Sequence, residues 1–296
     1  MGQRMMRIGI VGNPGGWSSE NLADAAERVT GFRALLDPGK LALDVAQGTV
    51  RCGEFLLNEF DALVIKKLGE GYAPDHLDRL ELLRFVHAKG VPVFSAPLRI
   101  SRLLDRLTCT VTLAANGIPM PPTTVTPDLE VARNAVEQYG RAVLKPLFSS
   151  KARGMQVIEA GRDTADQLRR FQAAGNPVVY IQQLIDLPGR DLGVTFLGGD
   201  YLATYARVGR KDSWNTTTRS GGRYEAQQIS QELLDLAYQA LAPFGLDFTC
   251  VDIAESSSGP VVFEVSAFGG FRGLNDAHGM DIGDRLVRYV LGRISN

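Results

Sequence analysis

The sequence predicts a mixed α/β and α+β fold: a leading parallel α/β layer followed by two α+β units. Apolar strand runs alternate with helical patterns through the first third of the chain. A proline cluster, Pro119, Pro121 and Pro122, then enforces an extended passage, and the last third is rich in strand and hairpin patterns.

Arg7 to Val11 is a short apolar strand ending in Gly12-Asn13-Pro14-Gly15-Gly16, with a helix over Glu20 to Val29. Phe60 to Ile65 is a second strand, Asp78 to Lys89 a helix spaced by Leu80, Leu83 and Val86, and Gly90 to Phe94 a third strand. One helix is expected from Ile100 to Asn116, with Gly117 as its C-cap. Beyond the prolines come a helix (Asp128 to Tyr139), a strand (Ala142 to Leu147), a polar loop (Ser149 to Gly154) and a strand (Met155 to Ile158). Val178 to Leu184 reads as a strand, and Asp191 to Leu197 with Tyr201 to Val208 as a hairpin turned by Gly198-Gly199-Asp200. A helix (Gln231 to Leu241) leads into the strands Phe248 to Ala254 and Pro260 to Ser266, and an amphipathic helix follows from Ile282 to Leu291.

Composition excludes several classes. Among 296 residues, 32 basic and 33 acidic side chains leave a net charge of −1, so nothing pulls the whole chain toward nucleic acid or an acidic membrane. Three separated cysteines fit neither a disulfide framework nor a metal knuckle, and imply a reducing cytoplasm. The start, MGQRMMRIGIVG, lacks the apolar stretch of a signal peptide, and no segment has the ~20 apolar residues of a membrane helix.

The last hairpin is the most informative about chemistry. Strand alternation puts Val251, Ile253, Val261, Phe263 and Val265 on one apolar face, and Asp252, Glu264 and Ser266 on the other beside Cys250, Ala254 and Val262. Facing carboxylates repel and ask for a counter-ion. Mg²⁺ carried in with nucleotide phosphates meets that need; so does a lysine or arginine, or open solvent. Lys145 lies in the apolar strand AVLKPLF, where a lysine is costly unless its ammonium reaches water or an anion such as phosphate. The next loop, SSKARGM, is small, hydroxyl-rich and basic, suited to closing over phosphates, but it is not a Walker A loop. GNPGG does not fit the dinucleotide-binding glycine pattern and reads as a tight turn before a helix N-terminus. His76, His87 and His278 show no metal-ligand spacing, and no nucleophile elbow is present. Lys66 and Lys67 follow a strand end as two exposed lysines; their charge hints at an anionic donor such as glutamate, although a solvated pair is the ordinary reading.

Set in order, these stretches resemble the ATP-grasp superfamily, in particular the RimK-type amino-acid ligases, over Arg99 to Arg293. The matching segments are RISRLLDRLTCTVTLAANGIPMPPT, AVLKPLFSSKARGMQVIE, VVYIQQLIDLPGRDLGVTF, the basic stretch from Arg207 to Gly222, VDIAESSSGPVVFEVSAFGGFRGL and MDIGDRLVRYV. The resemblance implies an ATP-grasp fold divided as a leading α/β domain (1–98), a small subdomain carrying the phosphate-covering loop (99–178) and a C-terminal subdomain with the metal site (179–296). It implies that Lys145 contacts ATP phosphates, that Ser149, Ser150, Lys151 and Gly154 belong to the lid, and that Gln182, Gln183, Leu184 and Ile185 flank the adenine. Asp191 matches an acid near the ribose, with Gly193 where an arginine often follows. Asp252 and Glu264 match metal carboxylates, with Ser266 in place of the usual asparagine, and Arg106 stands for a lysine near the nucleotide. Arg207 and Arg219, with Asn215 and Arg272, are brought near the γ-phosphate or a substrate carboxylate, and the AFGGFRG loop falls on the acceptor side.

The activity implied is a cytoplasmic ATP-dependent carboxylate–amine ligase. It would use ATP and one or two Mg²⁺ ions, form an acylphosphate, and join small-molecule or peptide carboxylates and amines, with neither nucleic acid nor membrane as partner. Related enzymes often form homo-oligomers. Two alternatives stay open: a phosphotransferase acting on a small molecule, and a non-catalytic ATP-binding protein, the latter motivated by Ser266, Gly193 and Arg106.

Overall fold

The computed structural model describes residues 5–210, 214–217 and 220–295. Strand β1 (Ile8–Val11) runs through a glycine-containing loop into helix α1 (Trp17–Thr30) and returns as β2 (Leu35–Leu36). A small antiparallel sheet follows, β3 (Leu41–Asp44), β4 (Thr49–Cys52) and β5 (Phe55–Leu56), whose partly exposed strands carry no continuous apolar run for the sequence to show. Then come β6 (Ala62–Ile65), α2 (Asp75–Ala88) and β7 (Val93–Phe94). The main sheet of this segment is parallel, in the order β2-β1-β6-β7. From β1 the chain moves to one side and from β6 to the other, so the direction of winding reverses between them. Both strands read as unbroken apolar runs because they are buried on both faces.

The single helix expected from Ile100 to Asn116 is broken in three. It begins as α3 (Pro97–Ile100), passes through a 3₁₀ turn (Ser101–Leu103) and restarts as α4 (Arg106–Ala115). Asp105 causes the restart: it is extended, and its carboxylate accepts the Thr108 N–H at 2.7 Å as an N-cap. Arg106 is thereby placed in the first turn of α4, and its backbone N–H donates to Leu147 O at 3.0 Å.

The second unit is an antiparallel sheet of order β10-β9-β11-β8, built from β8 (Thr123–Thr126), β9 (Arg141–Lys145), β10 (Gln156–Glu159) and β11 (Val179–Gln183). Helices α5 (Leu129–Tyr139) and α6 (Thr164–Ala173) cover one face. Ala142, Leu144, Val179 and Ile181 pack into that core with Val136, Leu168 and Phe171. The alternate positions, Val143, Lys145, Tyr180 and Gln182, share the opposite face, with Tyr180 paired to Lys145 and Gln182 to Val143.

The third unit carries β12 (Arg190–Leu197), β13 (Asp200–Val208), β14 (Arg223–Gln227), α7 (Gln231–Leu241), β15 (Phe248–Ser256) and β16 (Gly259–Ser266), then α8 (Phe271–His278) and α9 (Ile282–Ile294). Its sheet runs β14-β13-β12-β15-β16. Val194, Phe196, Val251, Ile253 and Val265 share a core with Leu233, Leu236 and Ala237 of α7. Tyr205, Phe248 and Cys250 form another with α8, α9, α1 and the leading strands β1 and β6, so the first and last thirds of the chain share a core. Gly283 of α9 allows that approach: a Cβ there would lie 2.8 Å from the Cβ of Ala25.

The alternation expected along the last hairpin holds only at one end. Cys250 pairs with Ser266, Val251 with Val265 and Asp252 with Glu264, but the next pair is Ile253 with Val262. Phe263 is the extra residue of a β-bulge, which shifts the remaining strand by one position. Val262, expected beside the carboxylates, is instead fully buried in the core shared with α7, and Phe263 leaves the apolar face to line the cavity between the units. Ala267 to Gly273, expected as a loop throughout, becomes helical at Phe271. Among the described residues no helix is long and apolar enough to cross a membrane, and Cys52, Cys109 and Cys250 are free and buried.

Candidate active site

The cavity has a volume of about 610 Å³ and receives side chains from all three units. Lys145 enters at the end of β9, only 9 % exposed. Its ammonium donates to Gln182 Oε1 and lies 5.4 Å from the centre of the Phe263 ring. Burial, with repulsion from Arg106, pushes it down to about 7, although Glu264 acts in the other direction. Gln182 is itself oriented by Thr123 Oγ1, which accepts from its amide at 3.0 Å. Gln182, expected against a base, thus directs its side-chain oxygen to the Lys145 ammonium.

Opposite stands the carboxylate ladder. Asp252 is 8 % exposed, and burial pushes its carboxyl up from the usual range; Arg207 opposes that rise and Glu264 adds to it. Arg207 Nη2 lies 3.0 Å from Asp252 and also donates, with Nε, to Asp191. Thr216 Oγ1 donates to the other oxygen of Asp191. Asp191 is therefore the partner that fixes Arg207. Glu264 is held by Arg106 at 2.9 Å, and the Arg106 guanidinium lies 5.9 Å from the Tyr180 ring centre. Ser266 lines the same wall.

Asp252, Glu264 and Ser266 supply oxygen donors only, the chemistry suited to Mg²⁺ completed by phosphate and water, and they stand across the cavity from a buried lysine. Among the described residues no group of three or more histidine, cysteine, aspartate or glutamate side chains forms a ready cage for a metal. The donor set thus fits an ion delivered with a polyphosphate, which brings most of its own ligands.

Ser149, Ser150, Lys151 and Gly154, expected to form a lid, lie in the loop that joins β9 to β10 and border the cavity. Lys151 and Ala152 both take positive φ of 56°, and Arg153 bonds back to Ser150 Oγ at 3.0 Å. Gln183, Leu184 and Ile185 line the cavity at the end of β11. The backbone N–H groups of Gln183 and Leu184 are already engaged by Pro122 O and Arg141 O. Asn215 lines the cavity and its Oδ1 accepts from the hydroxyl of Thr217 at 2.7 Å. Arg272 lies at the rim in the first turn of α8, 5.4 Å from the Trp17 ring centre. Arg219 falls outside the described residues.

Two site residues escape the sequence patterns. Tyr205 of β13 is buried between glycines of two elements: a Cβ on Gly193 would lie 2.3 Å from its Cζ, and one on Gly273 would lie 2.5 Å from its ring. The absence of a side chain at 193, where the resemblance expects an arginine, makes room for this ring. Lys66 is the other. Expected as exposed, it is only 3 % exposed and donates to Phe268 O at 2.8 Å.

The sequence profile of the RimK-like ATP-grasp domain matches residues 104–290. The tetrahydromethanopterin:alpha-L-glutamate ligase of Methanosarcina acetivorans is 25 % identical, the alignment covering 97 % of this chain and 99 % of that one. The ribosomal protein bS6–L-glutamate ligase of Salmonella paratyphi B is also 25 % identical, over 96 % of this chain and 95 % of its own. Among solved structures, the ATP-grasp ligase PsnB in complex with a phosphomimetic variant of its minimal precursor, Mg and ADP superposes with a TM-score of 0.75 at 22 % identity, covering 98 % of this chain and 99 % of that one.

Proposed function

The chain belongs to the RimK-like ATP-grasp family, and from that premise we propose that it is an ATP-dependent carboxylate–amine ligase. The observation that carries this is the convergence, in one cavity, of buried Lys145 from one sheet with Asp252 and Glu264 from another. Nucleotide would lie between the segments 99–178 and 179–296, with the segment 1–98 forming a wall.

Lys145 and Arg106 would meet phosphates, Ser149 to Gly154 would close over them, and Gln183, Leu184 and Ile185 would border the base. Mg²⁺, held by Asp252, Glu264 and Ser266, would supply neutralising charge at the phosphates when bound. A substrate carboxylate oxygen attacks the γ-phosphorus and the bond to ADP breaks. An amine then attacks the acyl carbon, loses a proton and expels phosphate, leaving an amide. Arg207, locked by Asp191, offers fixed positive charge where negative charge develops, and Asn215 and Arg272 face the acceptor side. Catalysis here is positioning and electrostatics, so no catalytic serine, cysteine or histidine is needed.

The glutamate-ligase relatives point to glutamate as the first amine to offer. The test is ADP release from MgATP with L-glutamate and a panel of carboxylates, with and without hydroxylamine. Hydroxamate formation marks an acylphosphate. ADP release with a phosphorylated product and no hydroxamate would replace the ligase with a phosphotransferase, and MgATP binding without ADP release across the panel would leave a nucleotide-binding protein.

A further inference from the structure

One row of residues crosses the sheet of the third unit. Tyr205 of β13 pairs with Gly193 of β12, Gly193 with Asp252 of β15, and Asp252 with Glu264 of β16. Directly paired residues share a face, and the three side chains of this row all line the cavity. Two strand spacings, roughly 10 Å, separate β13 from β15. Tyr205 reaches across because the position between carries no side chain: a Cβ on Gly193 would lie 2.5 Å from the Tyr205 hydroxyl. That hydroxyl ends 3.4 Å from Cys250 Sγ, and Cys250 Sγ lies 3.5 Å from Asp252 Oδ1. The turn before α8 closes over the thiol. A Cβ on Gly269 would lie 3.0 Å from the Cβ of Cys250, which is 1 % exposed.

Asp252 is thus tethered twice from one strand. Arg207, two residues beyond Tyr205 on β13, contacts Oδ2 at 3.0 Å, while Tyr205 reaches Oδ1 through the thiol. Thiols and phenols ordinarily keep their protons at neutral pH. The hydroxyl can therefore donate to sulfur, and the thiol to the carboxylate. A thiol is a weak donor by itself, and a hydrogen bond accepted at its sulfur strengthens the one it gives. The second tether matters because a carboxylate beside a guanidinium frequently turns to offer it both oxygens.

We infer that Tyr205 and Cys250 are positioning residues for the metal carboxylate: the hydroxyl–thiol pair holds Asp252 Oδ1 off Arg207, so that the carboxylate keeps an orientation in which it can still receive a divalent cation. This rests on the metal role proposed for Asp252 and adds the side chains that set its rotation. Cys250 acts on Asp252 directly and Tyr205 only through Cys250. Without the thiol, Asp252 closes onto Arg207 as a two-pronged ion pair, and an arriving cation competes with the guanidinium for both oxygens.

The test measures Mn²⁺, a paramagnetic stand-in for Mg²⁺, binding to the full-length protein at a fixed saturating concentration of ADP. Electron paramagnetic resonance reads the free ion, and thermal melts on the same preparations allow comparison at matched folded fraction. Cys250→Ala should weaken Mn²⁺ binding about tenfold, the lower end of what loss of a group supporting a metal ligand costs. Tyr205→Phe keeps the ring and removes only the hydroxyl; it should weaken Mn²⁺ binding in the wild-type background and have no effect in Cys250→Ala. ADP affinity measured in EDTA should match wild type in every variant. Unchanged Mn²⁺ affinity in Cys250→Ala overturns the inference, as do additive losses for the two substitutions, or a loss of metal-free ADP affinity equal to the loss of Mn²⁺ affinity. Asp252→Asn separates the premise from the inference. If it weakens Mn²⁺ binding while Cys250→Ala and Tyr205→Phe do not, only the positioning role falls; if it too has no effect, the metal role of Asp252 falls and the positioning role with it.

Discussion

Asp252 and Glu264 are direct partners across the β15–β16 ladder, yet each carboxylate is held by an arginine from a different element. Arg207 of β13 lies 3.0 Å from Asp252, and Arg106 of α4 lies 2.9 Å from Glu264. The repulsion expected of facing acids is therefore offset within the protein, and an incoming cation meets carboxylates already oriented.

Asp252→Asn and Glu264→Gln should each lower ADP release by about 100- to 1,000-fold, the cost of removing one preorganised electrostatic group. Asp252→Asn should leave the nucleotide-free protein as stable as wild type, because burial already favours the neutral carboxyl and Arg207 retains Asp191. Melting curves and ADP assays on the same preparations check both. Undiminished ADP release would remove these residues from the metal role.

Nucleotide binding should take up a proton at Lys145. Its folded value is lowered to about 7 from an ordinary 10.5, so between these limits the unfolded chain holds a proton that the folded chain lacks. The contribution of this group to stability therefore rises with pH across that window, and the penalty is complete below 7. A bound phosphate reverses the preference, so MgADP affinity should increase as pH falls from 9 to 7. Calorimetry in buffers of different ionisation enthalpy should show proton uptake in wild type, and none at this site in Lys145→Met.

Arg207→Met leaves Asp191 and Asp252 buried and without their shared cation. Destabilisation of about 3–5 kcal/mol is expected, a fall in melting temperature on the order of 10 °C. Adding Asp191→Asn should recover part of the loss. Equal melting temperatures for wild type and Arg207→Met would show the cluster to be energetically idle.

Gly193→Ala forces a methyl group against the Tyr205 ring, an overpacking cost of about 1–3 kcal/mol. In a Tyr205→Ala background the same substitution should cost far less. A double-mutant cycle by denaturant titration measures the difference, and additive effects would deny the contact.

What the sequence made legible follows the range of the forces involved. The cost of a lysine in an apolar strand is local, and so marks Lys145; strand alternation is local, and so puts Asp252 and Glu264 on one face. The bulge at Phe263 is a matter of register between strands, and the pattern of one strand carries no sign of it. The break before Arg106 had a local signal, Asp105 with Thr108 three residues on, that competes with an otherwise continuous helical pattern. Helix α6 was hidden by its largely polar surface, with only Leu168 and Phe171 among its apolar residues fully buried. Burial of Lys66 depends on Phe268 and Phe271, some two hundred positions away, so only the fold reveals it.

The bulge also bears on how this hairpin tolerates changes in length. In a regular antiparallel ladder, losing one residue turns every later side chain over, carrying acids into the core and valines into the cleft. Here Phe263 is already surplus to the pairing, so its deletion would join Val262 directly to Glu264 and leave each opposite its present partner. The carboxylates and the apolar floor are thus insulated from each other at that point. The aromatic wall beside Lys145 is an addition that evolution or an engineer can lengthen, shorten or omit without rewriting either strand.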